Sequence, residues 1–167
     1  VVVDPVNRVE GGLMGETIHG GLAELCRARA HQLVRIPDDV SFDTAAALPC
    51  AYGTALRMMQ TIGQVQPGEK VLILGASGGV GVCAVQLAKA AGAYVITCVG
   101  STDKAQRLTQ LGADETVLYT QEDFLKVVQQ RHGKPTIHRF ADTATPTGVD
   151  VVVNFTGGDT WVKSLRT

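Results

Sequence analysis

The fold of this chain is decided by residues 72–93, which read LILGASGGVGVCAVQLAKAAGA. An apolar run stops at Gly75, glycine returns at positions 78, 79 and 81, and an amphipathic pattern follows without a break. These patterns predict a buried strand over Lys70–Leu74 and a helix over Gly79–Ala91. Glycine is a poor helix former, so its repetition at this junction indicates either a tight turn or the close approach of a ligand to the backbone.

Strand and helix patterns alternate beyond this turn. We expect further strands at Tyr94–Val99, Thr116–Tyr119 and Val149–Asn154, and helices at Asp103–Leu111, Glu122–Arg131 and from Thr160 onward. The strands consist largely of Val, Ile and Leu, which is typical of a parallel sheet with helices on both faces. Upstream, Ser41 is a good N-cap for a helical run that we expect Pro49 to kink. The sequence therefore predicts an α/β fold built on a doubly wound parallel sheet.

Composition excludes several classes of protein. The 167 residues are 45% hydrophobic and 19% charged, which is typical of a globular domain. Lys plus Arg (15) nearly balances Asp plus Glu (16), so we expect no nucleic-acid partner. No apolar stretch reaches the roughly 18 residues of a membrane span, and no signal peptide is visible. The four cysteines show no CxxC spacing, which predicts reduced thiols in a cytoplasmic protein.

The glycine turn carries the strongest functional signal. Residues 76–81 read A-x-G-x-x-G, one residue away from the usual dinucleotide fingerprint, and they stand between a strand and a helix. The N–H groups of a helix N-terminus favour an anion, and glycines without side chains let a pyrophosphate reach them. A Walker motif is excluded because no Lys-Ser or Lys-Thr pair follows at the required spacing. We therefore predict that the cofactor is bound here, by Ser77, Gly78, Gly79, Val80 and Gly81. Gly78 and Gly79 would let the pyrophosphate approach the backbone, and Gly81 would let the helix pack closely on the strand.

Three segments carry a resemblance to a known superfamily. They are VLILGASGGVGVCAVQLAKAAGAYVI (71–96), LGADETVLY (111–119) and VDVVVNFTGGDTW (149–161). In order and spacing they resemble the medium-chain dehydrogenases/reductases, which include zinc-type alcohol dehydrogenases and quinone oxidoreductases. The resemblance implies a Rossmann dinucleotide-binding domain over 41–167, incomplete at its C-terminus, after the tail of a chaperonin-10-like catalytic domain over 1–40. It also implies a fragment that is inactive alone, with an extra stretch at 135–147.

The same resemblance implies an activity with alternatives. The first is hydride transfer between NADP(H) and an alcohol or carbonyl substrate, as in zinc-dependent alcohol dehydrogenases. The second is a zinc-free, NADPH-dependent quinone or enoyl reductase, and the third is a dinucleotide-binding module without catalysis. A small-molecule substrate and a homo-oligomeric full-length protein are expected in the first two cases. No catalytic residue is assigned.

A zinc ligand and two further cofactor contacts follow from the resemblance. Zinc-type members carry a Cys four residues before a Thr, a pattern that Cys50 and Thr54 match, so we expect zinc at Cys50 and cofactor at Thr54. The alternative is that Cys50 is a small apolar filler. The family's four-cysteine lobe is absent, because residues 4–16 read DPVNRVEGGLMGE instead. Thr156, in the third similar segment, is expected to contact the cofactor.

The choice of cofactor is predicted at the end of the second Rossmann strand. NAD-preferring enzymes carry an acidic residue there, but this chain has Val99, Gly100, Ser101 and Thr102, and Asp103 comes too late. A 2′-phosphate would meet no repulsion, and Ser101, Lys104 and Tyr119 are expected to hold it. The resemblance supports the role of Tyr119, whose position flanks this phosphate in quinone reductases. The alternative is that the serine caps the helix and the lysine is solvated. We predict a preference for NADPH over NADH.

Overall fold

The computed structural model describes residues 1–135 and 147–167. The chain divides into two compact units, Val1–Thr54 and Ala55–Thr167, which are described separately here. The extra stretch predicted at 135–147 lies, apart from its two ends, outside the described residues. Within the described ranges, every helix is too short or too polar to cross a lipid bilayer.

The first unit contains a small antiparallel ladder and a long helical run. Strand β1 (Val2–Val3) pairs with strand β2 (Leu33–Val34). Strand β2 begins directly after a 3₁₀ turn at Ala30–Gln32. Helix α1 (Phe42–Ala47) passes without a gap into a π-helical turn (Leu48–Tyr52). Helix α2 (Gly53–Leu56) follows, and the boundary between the two units falls within it, after Thr54.

The start and the irregularity of this helical run both have local causes. The Ser41 hydroxyl accepts a hydrogen bond from the Thr44 N–H at 3.2 Å, so the predicted N-cap is confirmed. Pro49 lies in the first turn of the π-helical segment. Because proline lacks an N–H, it removes one hydrogen bond of the α-helical ladder, and the helix widens there instead of ending.

The second unit is the α/β layer that the sequence predicts. After a π-helical turn (Arg57–Ile62), its elements are β3 (Lys70–Leu74), α3 (Gly79–Ala90), β4 (Tyr94–Val99), α4 (Thr102–Gln110), β5 (Glu115–Leu118), α5 (Phe124–His132), β6 (Val151–Asn154) and α6 (Thr160–Ser164). The strands are all parallel, and their order in the sheet is β5-β4-β3-β6. The first strand of this sheet in the chain, β3, therefore lies between β4 and the last strand, β6. This order confirms the Rossmann-type, doubly wound sheet, with element ends within two residues of the predicted ones.

The core lies on both faces of this sheet, as its apolar strands predict. On one face Leu72, Leu74 and Ile96 belong to a buried cluster with Phe124 and Val128 of α5. The alternate residues of β3 are also fully buried, so they pack on the opposite face. Burying an aliphatic side chain of this size stabilises the fold by about 1.5–3 kcal/mol, which makes the centre of the sheet its most stable part.

Charged groups join the elements at the amino ends of β4 and β5. The Glu115 carboxylate accepts hydrogen bonds from Arg131 at 2.7 Å and from the His132 Nε2 at 2.8 Å, both at the end of α5. Asp114 accepts from the Lys89 ammonium at 2.6 Å and from the Val95 N–H at 2.8 Å. Burial raises the pKa of Glu115, but these hydrogen bonds and charges outweigh it and leave the pKa below its ordinary value.

Candidate functional site

The carboxyl ends of the parallel strands form the functional edge of the second unit. The turn after β3 begins at Gly75, whose φ of +74° lies in the left-handed region that favours glycine. The Gly78 N–H donates to the Gly75 carbonyl at 3.0 Å and closes the turn before α3 begins. Gly75 therefore fixes the direction in which α3 leaves the sheet.

The glycines of the turn serve different purposes. A Cβ at Gly81 would lie 2.7 Å from backbone atoms of Ala76 and closer still to the Gly75 carbonyl oxygen. A Cβ at Gly79, in contrast, would meet no atom within 4 Å. Gly81 is thus required for the packing of α3 on the turn, whereas no contact among the described residues explains Gly79 by packing.

The N-terminus of α3 is suited to an anion. Its N-cap is Gly78, in extended conformation, and no side chain caps the first turn. The first N–H groups of a helix have no partner within the helix, and the helix dipole adds positive potential there. Open space at Gly79 leaves these groups accessible, so the turn fits a pyrophosphate.

A cleft of about 640 Å³ lies at this edge of the sheet, on the face covered by α5. It is bounded by the turn after β3, the segment between β5 and α5, and the start of α6. The lining residues are Leu74, Gly75, Cys98, Tyr119, Thr120, Gln121, Glu122, Asp123, Phe124, Thr156, Asp159, Thr160 and Lys163. The cleft thus brings together three sequence segments from the glycine turn, the end of β5 and the loop after β6.

Two of the residues predicted to contact the cofactor line this cleft. A Cβ at Gly75 would lie 3.3 Å from the Thr156 Cγ2, so Thr156 lies directly beside the glycine turn. Tyr119 is 56% exposed, and its hydroxyl lies 2.7 Å from where a Cβ of Gly100 would stand. Tyr119 therefore covers the end of β4, next to Ser101.

The end of β4 offers donors and no carboxylate. Ser101 is the N-cap of α4, but its side chain makes no capping hydrogen bond. Asp103 pairs with Arg107 on the helix surface at 3.2 Å, and Lys104 is exposed in the same first turn. The alternative prediction, that the Ser101 side chain caps α4, is thus not seen, and the Ser101 hydroxyl is available to a ligand.

Other lining residues were not predicted from the sequence. Asp123 caps α5 and pairs with Lys163 of α6 at 2.7 Å across the rim of the cleft. The Lys163 hydrogen bond lowers the pKa of Asp123, so this carboxylate is ionised at neutral pH. On the floor, burial raises the pKa of Cys98 to about 12, which keeps its thiol neutral. Asn154 does not line the cleft, but it ends the apolar run of β6 and accepts hydrogen bonds from the lining residue Thr156.

The predicted zinc ligand belongs to the first unit. Cys50 is exposed and lies in the π-helical turn, with Thr54 following in α2. Within residues 1–135 and 147–167, no three His, Cys, Asp or Glu side chains are close enough together to hold a metal ion. The described residues therefore do not form a zinc site by themselves, and the roles of Cys50 and Thr54 stay predictions.

A sequence comparison decides the family. The family described as "Zinc-binding dehydrogenase" matches residues 79–167, which is more than half of the chain. The chain belongs to the zinc-binding dehydrogenase family. This confirms the medium-chain dehydrogenase/reductase resemblance, and it makes the chain part of a family of oxidoreductases.

Relatives of this zinc-binding dehydrogenase chain include both quinone oxidoreductases and alcohol dehydrogenases. Quinone oxidoreductase-like protein 2 of Mus musculus is 33% identical over 92% of this chain and 41% of its own length. An alcohol dehydrogenase of Geobacillus stearothermophilus is 40% identical over 71% of this chain and 35% of its own length. The chain therefore spans about two fifths of such relatives.

A solved structure agrees with the same family. The Escherichia coli quinone oxidoreductase complexed with NADPH superimposes with a TM-score of 0.69 at 33% identity. The superposition covers 81% of this chain and 38% of that protein.

Proposed function

We propose that this chain forms the dinucleotide-binding part of an NADP(H)-dependent oxidoreductase that acts on a small molecule. The single observation that carries the proposal is the contrast between Gly79 and Gly81. One glycine is required by packing, whereas the other faces open space at an uncapped helix N-terminus. A pyrophosphate in that space would accept hydrogen bonds from the first N–H groups of α3.

The remainder of the nucleotide would lie along the carboxyl ends of the strands. The cleft beside Gly75 is lined by Tyr119, Thr156 and apolar groups such as Phe124, which suits a flat ring with polar edges. Ser101 and Lys104 would hold a 2′-phosphate, since a hydroxyl and an ammonium are both donors. The carboxylate between them in the sequence, Asp103, is paired with Arg107. The solved relative that is complexed with NADPH supports this choice of cofactor.

The cofactor supplies the chemistry, and the chain binds the cofactor and orients it. When bound, the nicotinamide supplies or accepts the hydride. The glycine turn fixes the pyrophosphate, and the loop after β6 borders the same cleft. In this way the protein restricts the cofactor to one orientation relative to the substrate.

Two substrate chemistries are represented among the relatives. We favour reduction of a quinone or an activated alkene, because the quinone oxidoreductase-like relative matches 92% of this chain, whereas the alcohol dehydrogenase matches 71%. An alcohol dehydrogenase activity is the second candidate. The spacing of Cys50 and Thr54 and the 40% identity to an alcohol dehydrogenase favour it.

Calorimetry and turnover on the protein that carries this chain test the proposal. We expect NADPH to bind more tightly than NADH, and NADPH to be oxidised with a quinone or an enoyl substrate. Zinc-dependent turnover of an alcohol would instead support the second candidate. A parent protein that binds neither dinucleotide would refute both.

A further inference from the structure

The loop that follows β6 is held by one side chain. Asn154 is the last residue of β6 and pairs in register with Leu74, one residue before the glycine turn. Its carboxamide oxygen accepts three hydrogen bonds of 2.9 Å, from the Thr156 N–H, the Thr156 hydroxyl and the Gly157 N–H. Its amide nitrogen donates to the hydroxyls of Thr160 and Ser164, also at 2.9 Å.

The orientation of this amide follows from its partners. Backbone N–H groups can only donate, so the atom that faces Thr156 and Gly157 must be the carbonyl oxygen. The opposite side is consistent, because the Thr160 hydroxyl donates to the Gly157 carbonyl and the Ser164 hydroxyl donates to the Thr160 carbonyl. Both hydroxyl oxygens are then acceptors for the Asn154 amide.

Among the described residues, the other backbone hydrogen bonds of this loop involve the Phe155 N–H and the carbonyls of Gly157 and Gly158, so Asn154 is the acceptor for the N–H groups of Thr156 and Gly157. Gly157 and Gly158 have φ values of +64° and +55°, and no atom lies within 4 Å of a Cβ at either position. Glycine loses more conformational freedom on ordering than any other residue, so two successive left-handed glycines need hydrogen bonds to hold them. Residues 155–156 of the same loop pack against Gly75, at 3.2 and 3.3 Å from its missing Cβ.

We propose that Asn154 is a positioning residue for the dinucleotide cleft. Its carboxamide holds the loop at residues 155–158 so that Thr156 lines the cleft beside Gly75, and it thereby sets the affinity for the nucleotide. The second part of this inference rests on the proposed function, whereas the first part concerns the loop alone. Asn154 acts through Thr156 and the loop backbone.

The loop is tested by amide hydrogen exchange in the absence of cofactor. In Asn154→Ala, we expect the amides of Thr156 and Gly157 to exchange at least about tenfold faster than in the parent, because each loses its acceptor. Asn154→Asp keeps the acceptor oxygen for the Thr156 and Gly157 amides, so it should restore their slow exchange. The hydroxyls of Thr160 and Ser164 would donate to the second oxygen in place of the Gly157 and Thr160 carbonyls. Unchanged exchange in Asn154→Ala would overturn the inference.

Affinity is tested by calorimetry with NADPH on the protein that carries this chain. We expect Asn154→Ala to bind about tenfold or more weakly. The control is Thr97→Val, which removes a fully buried hydroxyl bonded to Thr116 and the Glu115 carbonyl within the sheet. It should lower the melting temperature and leave the affinity unchanged.

The outcomes separate the two proposals. If Asn154→Ala binds like the parent while Gly79→Val does not bind, the inference is wrong and the proposed function stands. If Thr97→Val weakens binding equally, the effect of Asn154 is general destabilisation, which also overturns the inference. If the parent binds neither NADPH nor NADH, the proposed function fails, and the affinity role of Asn154 fails with it.

Discussion

Replacing Gly79 with valine would separate cofactor binding from folding. Gly79 is the first residue of α3, and no atom lies within 4 Å of its missing Cβ, so a Cβ fits there without any shift of its neighbours. Valine is also a better helix former than glycine, by roughly 0.3–0.5 kcal/mol. We therefore expect the free energy of unfolding to stay within about 0.5 kcal/mol of the parent.

The effect on binding should be much larger. An isopropyl group at this position would fill the open space in front of the first N–H groups of α3, where we place the pyrophosphate. Loss of these contacts should weaken the dinucleotide by at least 100-fold, which corresponds to about 2.7 kcal/mol. Calorimetric titration with NADPH and urea unfolding, on the same preparation, measure both quantities.

Two further glycines provide controls. Gly81→Ala should have the opposite signature, because its Cβ would lie 2.7 Å from the Ala76 backbone; we expect it to destabilise the fold by about 1–3 kcal/mol. Gly21→Val introduces the same side chain into open space in the first unit and should change neither quantity. If Gly79→Val bound NADPH as tightly as the parent, our placement of the pyrophosphate would be wrong.

Three other predictions concern the 2′-phosphate, the amino-end charges and zinc. Lys104→Ala should weaken NADPH binding by roughly 1–3 kcal/mol and leave NADH binding unchanged, as measured by calorimetry. The control Lys126→Ala, on α5, should change the binding of neither cofactor. Equal losses of NADPH and NADH binding in Lys104→Ala would contradict the contact with the 2′-phosphate. Glu115→Gln should destabilise the fold at neutral pH. The folded-state pKa of Glu115 is lowered, so its ionised carboxylate stabilises the fold. The difference in the free energy of unfolding between variant and parent should therefore have its full size above the unfolded-state pKa of about 4.3. It should disappear as the pH falls through the lower folded-state pKa. A difference independent of pH between 7 and 2 would refute this. Metal analysis of the protein that carries this chain should show zinc lost in Cys50→Ser if Cys50 is a ligand, and a zinc-free parent would rule that ligand out.

The secondary structure could be predicted closely because its signals are local. Strands β3, β4 and β6 are short runs of mainly apolar residues, and helical patterns follow them, so the element ends differ from the predicted ones by two residues at most. The order of the strands also follows, since a glycine turn between strand and helix is typical of a doubly wound sheet. The π-helical turns did not follow, because their geometry depends on how Pro49 and its neighbours pack.

The candidate site could be predicted from the sequence only where a local motif carries it. The different roles of Gly79 and Gly81 could be predicted from the motif, because each glycine position in it has its own purpose. The contacts of a Cβ at Gly81 with the Gly75 and Ala76 backbone needed the structure. The Asp123–Lys163 pair joins residues 40 positions apart, and no spacing rule connects them. Ser101, Lys104 and Tyr119 lie where the strand ends place them, whereas their contacts with a cofactor stay predictions, as do those of Thr54 and Thr156.

The charged cluster at the amino ends of β4 and β5 has a consequence for how such a protein can adapt. Lys89, Asp114, Glu115, Arg131 and His132 lie at the edge of the sheet opposite the glycine turn. Substitutions there can raise or lower heat resistance without reaching the nucleotide, because the rigid apolar centre of the sheet separates the two edges. Tolerance of temperature and choice of coenzyme can therefore evolve, or be engineered, as independent traits in one domain.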